Sequence, residues 1–216
     1  MKTTLIEAPA TLPVTWEQVK RHLRLEELGP IETSEQMYVM QTLAAAAVRT
    51  ATKILRLALI DTKYELQCYP QELRTRCGCC VLELPWTNLL SVELVTYGDQ
   101  TLIAGTDYRI EQTSDGLYTT PGRIVFNAGI FGTCCGGGCH CGCGEGDFEA
   151  VTDDLLRVRY RAGYGELPED VPADVQSWLL LRIGALYENR EEATDANIQT
   201  VPFIDSLLSD RQFEFS

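Results

Sequence analysis

Residues 153–165, DDLLRVRYRAGYG, and the stretch 170–192 that soon follows, DVPADVQSWLLLRIGALYENREE, decide the fold. In the first, Leu156, Val158 and Tyr160 alternate with Arg157, Arg159 and Arg161. A period of two sends three apolar side chains to one face and three guanidinium groups to the other, as in a strand covered on one side. In the second, Val175, Trp178, Leu179, Ile183 and Leu186 recur with the period of a helix and make one buried stripe. Pro172 suits the first turn, where its missing N–H costs nothing. Here the chain leaves a sheet and enters a helix.

The same two periods divide the rest of the chain. Near the start, VTWEQV carries a capping box, with Thr15 at N-cap and Gln18 at N3, and Val14 and Val19 placed as a hydrophobic staple. The helix is predicted to run to about Leu28, where Gly29 and Pro30 stop it. TSEQMYVM repeats the device, with Thr33 at N-cap and Gln36 at N3. A long helix over residues 34–60 is predicted next, its apolar stripe made of Met37, Met40, Ala44, Ala47, Ala51, Ile54 and Ala58. From Asp61 the pattern changes. DTKYELQCY, CCVLELP, LLSVELVTY, TLIAGTDYRIE and GRIVF are short, rich in β-formers and bounded by turn residues. With the 153–165 stretch they predict an antiparallel β module of about six strands, ordered as a simple up-and-down meander. Beyond the last long helix, Pro202 starts a short helix through Leu208, and the tail SDRQFEFS follows.

The expected fold class is therefore α+β: a helical bundle built from both ends of the chain, with an inserted antiparallel β module. Residues 1–60 supply the N-terminal helices, 61–162 the β module with a Cys/Gly-rich loop at 127–152, and 163–216 the C-terminal helices and tail.

Composition narrows the function. No apolar run among the 216 residues is long enough to span a membrane. The opening residues lack the apolar core of a secretory signal, so the chain is expected to stay in the cytoplasm where it is made. A net charge of -13 disfavours a nucleic-acid reader. There is no G-x-S-x-G elbow, P-loop or dinucleotide fingerprint. The pairs Glu26/Glu27, Asp153/Asp154 and Glu191/Glu192 are adjacent in sequence. Neighbours on a helix point about 100° apart and make no acid–base dyad. His22 reads as a surface or boundary residue of its helix. No enzyme is expected.

The constellation with chemistry in it is residues 133–147, TCCGGGCHCGCGEGD. It holds Cys134, Cys135, Cys139, His140, Cys141 and Cys143. A second group is Cys77, Cys79 and Cys80, and Cys68 stands alone. In a meander the two groups lie in loops at one end of the module. Cys77, Cys79, Cys135, Cys139, Cys141 and Cys143 are then candidate ligands of a structural zinc, which takes four thiolate or imidazole ligands. The C-x-C spacings are poorer than the usual C-x2-C knuckle. Disulfides and free thiols are the competing readings, and the spacing leaves all three open. A closed four-ligand site keeps no position for catalysis, so no cofactor is required for any activity.

LPVTWEQVKRHLRLEE (12–27), LELPWTNLLSVELVTYGDQ (82–100) and VRYRAGYGELPEDVPADVQSWLLLRIGALYENRE (158–191) together resemble the head–tail connector proteins of tailed bacteriophages, also called adaptor or head-completion proteins. In that family the opening reads P-V-(T/S)-x-x-x-(V/A)-K-x-(H/Y)-L-(R/K), and V-x-Y-x-A-G-Y-G precedes a helix ending Y-E-N-R-E. The likeness covers roughly residues 12–210. It implies a virion structural protein of the neck, assembled in the host cytoplasm as a homo-oligomeric ring of about twelve copies beneath the portal protein. Such a ring extends the DNA channel and docks the next neck or tail-completion protein. DNA passes without specific binding, and the acidity suits that passage. The family's C-terminal segment engages the portal, which here points to Phe203, Leu207, Leu208, Phe213 and Phe215. The Cys/Gly loop departs from the family, and its role does not carry over. The alternative is a protein-binding module stabilised by metal in the cysteine loops, with no portal role.

Overall fold

The computed structural model of the chain describes residues 1–25, 32–76, 79–86, 88–112, 121–127, 129–131 and 154–188. They form an α+β fold whose paired strands are antiparallel throughout. The strands are β1 (Lys2–Glu7), β2 (Thr62–Cys68), β3 (Arg74–Arg76), β4 (Cys79–Glu83), β5 (Leu89–Tyr97), β6 (Gln100–Thr101), β7 (Tyr108–Glu111), β8 (Arg123–Phe126) and β9 (Leu156–Ala162). The helices are α1 (Trp16–His22), α2 (Thr33–Tyr38), α3 (Ala45–Leu55) and α4 (Ala173–Glu188). The chain divides into two units. One comprises residues 1–8 and 62–163, the other 9–61 and 164–216.

The β unit holds two sheets, ordered β1-β2-β9-β5-β6 and β3-β4-β8-β7. The expected single meander is thus corrected. Strand β2 pairs not with the next strand in sequence but with β1 and β9. Such partners are set by long-range packing, which local alternation does not encode. The N-terminal boundary also moves, because residues 2–7 form a strand of the β unit rather than part of the helical segment. Strand β9 has the alternation read from its sequence: Leu156, Val158 and Tyr160 are fully buried, while Arg157 and Arg159 are exposed. Tyr160 packs against Tyr64, whose ring stacks on Trp86 at 5.4 Å. In the second sheet Leu82, Ile124 and Phe126 are buried, and Phe131 meets Phe126 edge-on at 4.8 Å.

In the helical unit one core joins Val14, Val19, Val39, Leu43, Ala47, Ala51 and Leu55 to Val175, Trp178, Leu179 and Ile183. Helix α1 starts with the expected capping box: Gln18 N–H reaches Thr15 Oγ1 at 3.3 Å, and Thr15 N–H donates to Gln18 Oε1 at 2.8 Å. It ends at His22, earlier than Leu28, and Arg24 takes a left-handed φ of 54° without a glycine to mark the stop. Helix α2 is capped by Glu32, not Thr33, and has no side-chain cap bond. A π-helical segment over Val39–Ala44 links α2 to α3. Its wider turn rotates everything upstream. Met37 is therefore exposed, and Val39 and Leu43 take the buried stripe instead. Helix α3 stops at Leu55, short of residue 60, because Arg56 is left-handed with φ 53°.

The A-G-Y-G segment is where the chain passes from β9 toward α4. Gly163 has φ 151°, a region open to glycine, and its N–H donates to Asn88 C=O at 2.9 Å. Gly165 accepts from Asp61 N–H at 2.8 Å. A Cβ on Gly165 would collide with the Asp170 carboxylate, which itself accepts from Leu167 N–H at 2.9 Å.

Candidate functional site

The outer face of the five-stranded sheet collects charge in ordered rows. The register aligns Glu7, Lys63, Arg161 and Ser91 in one row, Thr4, Glu65, Arg159 and Leu94 in the next, and Lys2, Gln67, Arg157 and Thr96 in the third. Alternation along β9 puts all three arginines on this side. In the middle row Arg159 Nε donates to Glu65 Oε2 at 2.6 Å, and Gln67 Nε2 donates to Glu65 Oε1 at 2.7 Å. Glu65 is buried, and these two bonds hold its carboxyl below the usual carboxylate range, the Arg159 bond first. In the first row Lys63 pairs with Glu93, while Arg161 Nη1 lies 3.8 Å from Glu7 and 3.9 Å from Glu93. The third row is different. Lys2 and Arg157 are exposed, and neither forms an ion pair with a described residue.

Strand β1 borders this face and is the sheet's edge. All six of its residues are exposed, with Leu5 at 53% and Ile6 at 48%. A strand normally covers one face, so exposure on both is unusual for side chains of this kind. The register slips at Ile6, a bulge that ends regular pairing with β2.

The cysteines are placed by the second sheet. Cys79 and Cys80 begin β4, and Cys80 lies opposite Phe126, the last residue of β8. The chain after β8 carries the five later cysteines. Strand pairing thus sets the roots of both cysteine groups at one end of the sheet, by a different connectivity from a meander. Cys80 is buried and disulfide-bonded, and its partner is not among the described side chains. The six candidate ligands did not include Cys80. The alternation Cys80, Leu82, Leu84 was the available signal that it points inward. Cys77, Cys135, Cys139, Cys141 and Cys143 lie outside the described residues, and Cys79 is described by its backbone alone. Cys68 is a buried free thiol, pushed up to about 11 chiefly by burial and then by the Glu72 charge. Among the described residues no group of three or more His, Cys, Asp or Glu is arranged to hold a metal ion, and no helix is long and apolar enough to cross a membrane.

His22 contacts no such group; its ring lies near Gly184 of α4, where a Cβ would meet Nε2 at 3.4 Å. The expected portal-binding residues Phe203, Leu207, Leu208, Phe213 and Phe215 lie outside the described residues.

No protein-family model matches the sequence, and no curated protein matches it. Solved structures do share its fold. A chain from the structure described as the neck of an empty gene transfer agent (GTA) particle, computed with C6 symmetry, is 17% identical with a TM-score of 0.69. A chain from the virion of the native GTA particle is 17% identical with a TM-score of 0.66. One from the neck of the native particle, computed with C12 symmetry, is 16% identical with a TM-score of 0.64. Each comparison covers 100% of this chain and 97% of the other.

Proposed function

We propose that this chain is a virion neck protein, a head–tail adaptor that forms a ring beneath the portal, extends the DNA channel and docks the next neck or tail-completion protein. The observation that carries the reading is the shared fold over the whole chain with chains of GTA particles, two of them from neck structures. The order of the three sequence motifs supports it independently. The C6 and C12 symmetries of those neck structures favour a homo-oligomeric ring. The chain acts by assembly, without turnover of a substrate. Its helices, drawn from both ends of the sequence, work as a bundle. The tail residues Phe203, Leu207, Leu208, Phe213 and Phe215 engage the portal. A net charge of -13 per copy lets DNA slide through the channel without sticking.

Native mass spectrometry of the chain mixed with the portal of its own phage tests this reading. The expected result is a portal mass increased by a full ring of copies. An intact portal that takes up no copies overturns it. The same spectra separate the cysteine states, since a structural zinc adds the mass of the ion and each disulfide removes two hydrogens. The chain truncated after Leu208 is expected to keep its fold and lose docking, and normal docking by it would show that the tail is not the anchor.

A further inference from the structure

We infer that the β1 edge and the basic row beside it form an interface with a neighbouring copy of this chain, whose acidic surface covers Lys2 and Arg157 and whose apolar groups cover Leu5 and Ile6. The inference rests on the neck reading, because that reading is what supplies a neighbouring copy.

Three observations converge on the β1 border of one sheet, where Lys2 lies on the outer face and Leu5, opposite Tyr64, on the other, so that the covering surface wraps the edge. First, β1 is an edge strand with no residue buried, and among the described residues no strand lies beside its outer row of N–H and C=O groups. Second, Leu5 and Ile6 stand exposed on it, although they are the residues a strand would bury. Third, among the described residues the outer face holds five cations, Lys2, Lys63, Arg157, Arg159 and Arg161, against the three carboxylates of Glu7, Glu65 and Glu93. The surplus falls in a single row. Lys2 and Arg157 are two strands apart, roughly 10 Å, with Gln67 between them.

A positive surplus is unexpected on a chain of net charge -13. Identical copies of such a chain repel when they gather in a ring. A closed ring joins two different surfaces of each copy, so repulsion turns to attraction if one is locally basic and the other acidic. The average surface of every copy is acidic, which makes a second copy the complementary partner. DNA fits less well. The outer face is a mosaic of paired charges that also carries Leu94, with two cations, Lys2 and Arg157, outside any ion pair among the described residues, whereas duplex DNA rewards a dense basic stripe.

The test is a titration of the full chain onto the portal of its own phage, with bound copies counted by native mass spectrometry. Lys2→Glu/Arg157→Glu reverses the row. Arg49→Glu/Lys53→Glu makes the same charge change on exposed positions of α3 and serves as control. Lys2→Ala/Arg157→Ala is the milder variant, and thermal melting verifies each fold. The face reversal is expected to raise the concentration for half-occupancy by about tenfold or more, the alanine pair by a few-fold, and the control by less than about twofold. Equal shifts for face and control variants overturn the inference and leave the neck reading intact. So does normal ring completion by the face variants with failure only at recruitment of the next neck protein. No binding by the wild-type chain overturns the neck reading itself.

Discussion

Arg159 and Glu65 are register partners across β9 and β2, and the arginine Nε donates to the buried carboxylate at 2.6 Å. The pair sits half in solvent, since the Arg159 side chain is 47% exposed and that of Glu65 only 10%. Its worth is that of a charge-assisted hydrogen bond discounted for screening, about 1 kcal/mol. Arg159→Ala is expected to lower unfolding stability at neutral pH by about that much. The sign with pH follows from the lowered carboxyl. A group that is more acidic folded than unfolded stabilises fully above its unfolded value, about 4.3, and loses that contribution as pH falls through its folded value. Urea titrations from neutral to acid pH should show the wild-type advantage shrink across that window. A constant difference between the two proteins at every pH would refute the assignment.

Gly184→Ala should stabilise the helical unit. The position is interior to α4, where alanine is better than glycine by about 1 kcal/mol, and the nearest atom to the new Cβ is a His22 ring nitrogen at ordinary contact distance. The expected rise in Tm is about 2–4 °C. A fall would mean that the His22 ring has no room to accommodate the methyl group.

Gly165→Ala should destabilise by about 1–3 kcal/mol, because the new Cβ meets the Asp170 carboxylate that caps Leu167 N–H. Asp170→Gly removes the whole obstacle, including the Asp170 Cβ that would stand 2.7 Å from the new methyl, together with the cap. The double variant should therefore lose less than the sum of the two single losses, a non-additivity read from a thermal double-mutant cycle. Strict additivity would exclude the clash.

Cys68 and Cys80 should respond differently to alkylation. Burial and a thiol near 11 protect Cys68 in the folded chain, so it labels only on unfolding. Cys80 should resist label even in denaturant until a reductant opens its disulfide. Peptide mass spectrometry of the labelled chain distinguishes the two. Labelling of Cys80 in denaturant alone would disprove the bond.

What was legible in the sequence is what local chemistry alone decides. The Thr15–Gln18 box, the alternation of β9 and the Val175–Ile183 stripe each depend on residues within a few positions of one another. Strand β1 was not legible, because KTTLIE buries neither face and leaves no contrast to read. The stops of α1 and α3 were missed because Arg24 and Arg56 take left-handed backbone where glycine or asparagine is the usual sign. The π segment moved the buried stripe from Met37 to Val39 without any breaker residue. The division into two sheets depends on which distant strands pair, and only packing chooses among them. Of the candidate interface, the three arginines of β9 were visible, but not that Lys2 joins Arg157 two strands away.

The hydrogen bond from Asp61 to Gly165 has a further consequence. Those residues lie at the departure and return points of the β unit's long segment, which spans 62–163. To the helical unit, that whole segment is a closed loop whose ends already touch. The entropy of bringing its ends together is then a property of the sheet, met as the strands pair, and not a charge on the helices. A change of length between the strands is then felt by the sheet and not by the pairing of Asp61 with Gly165.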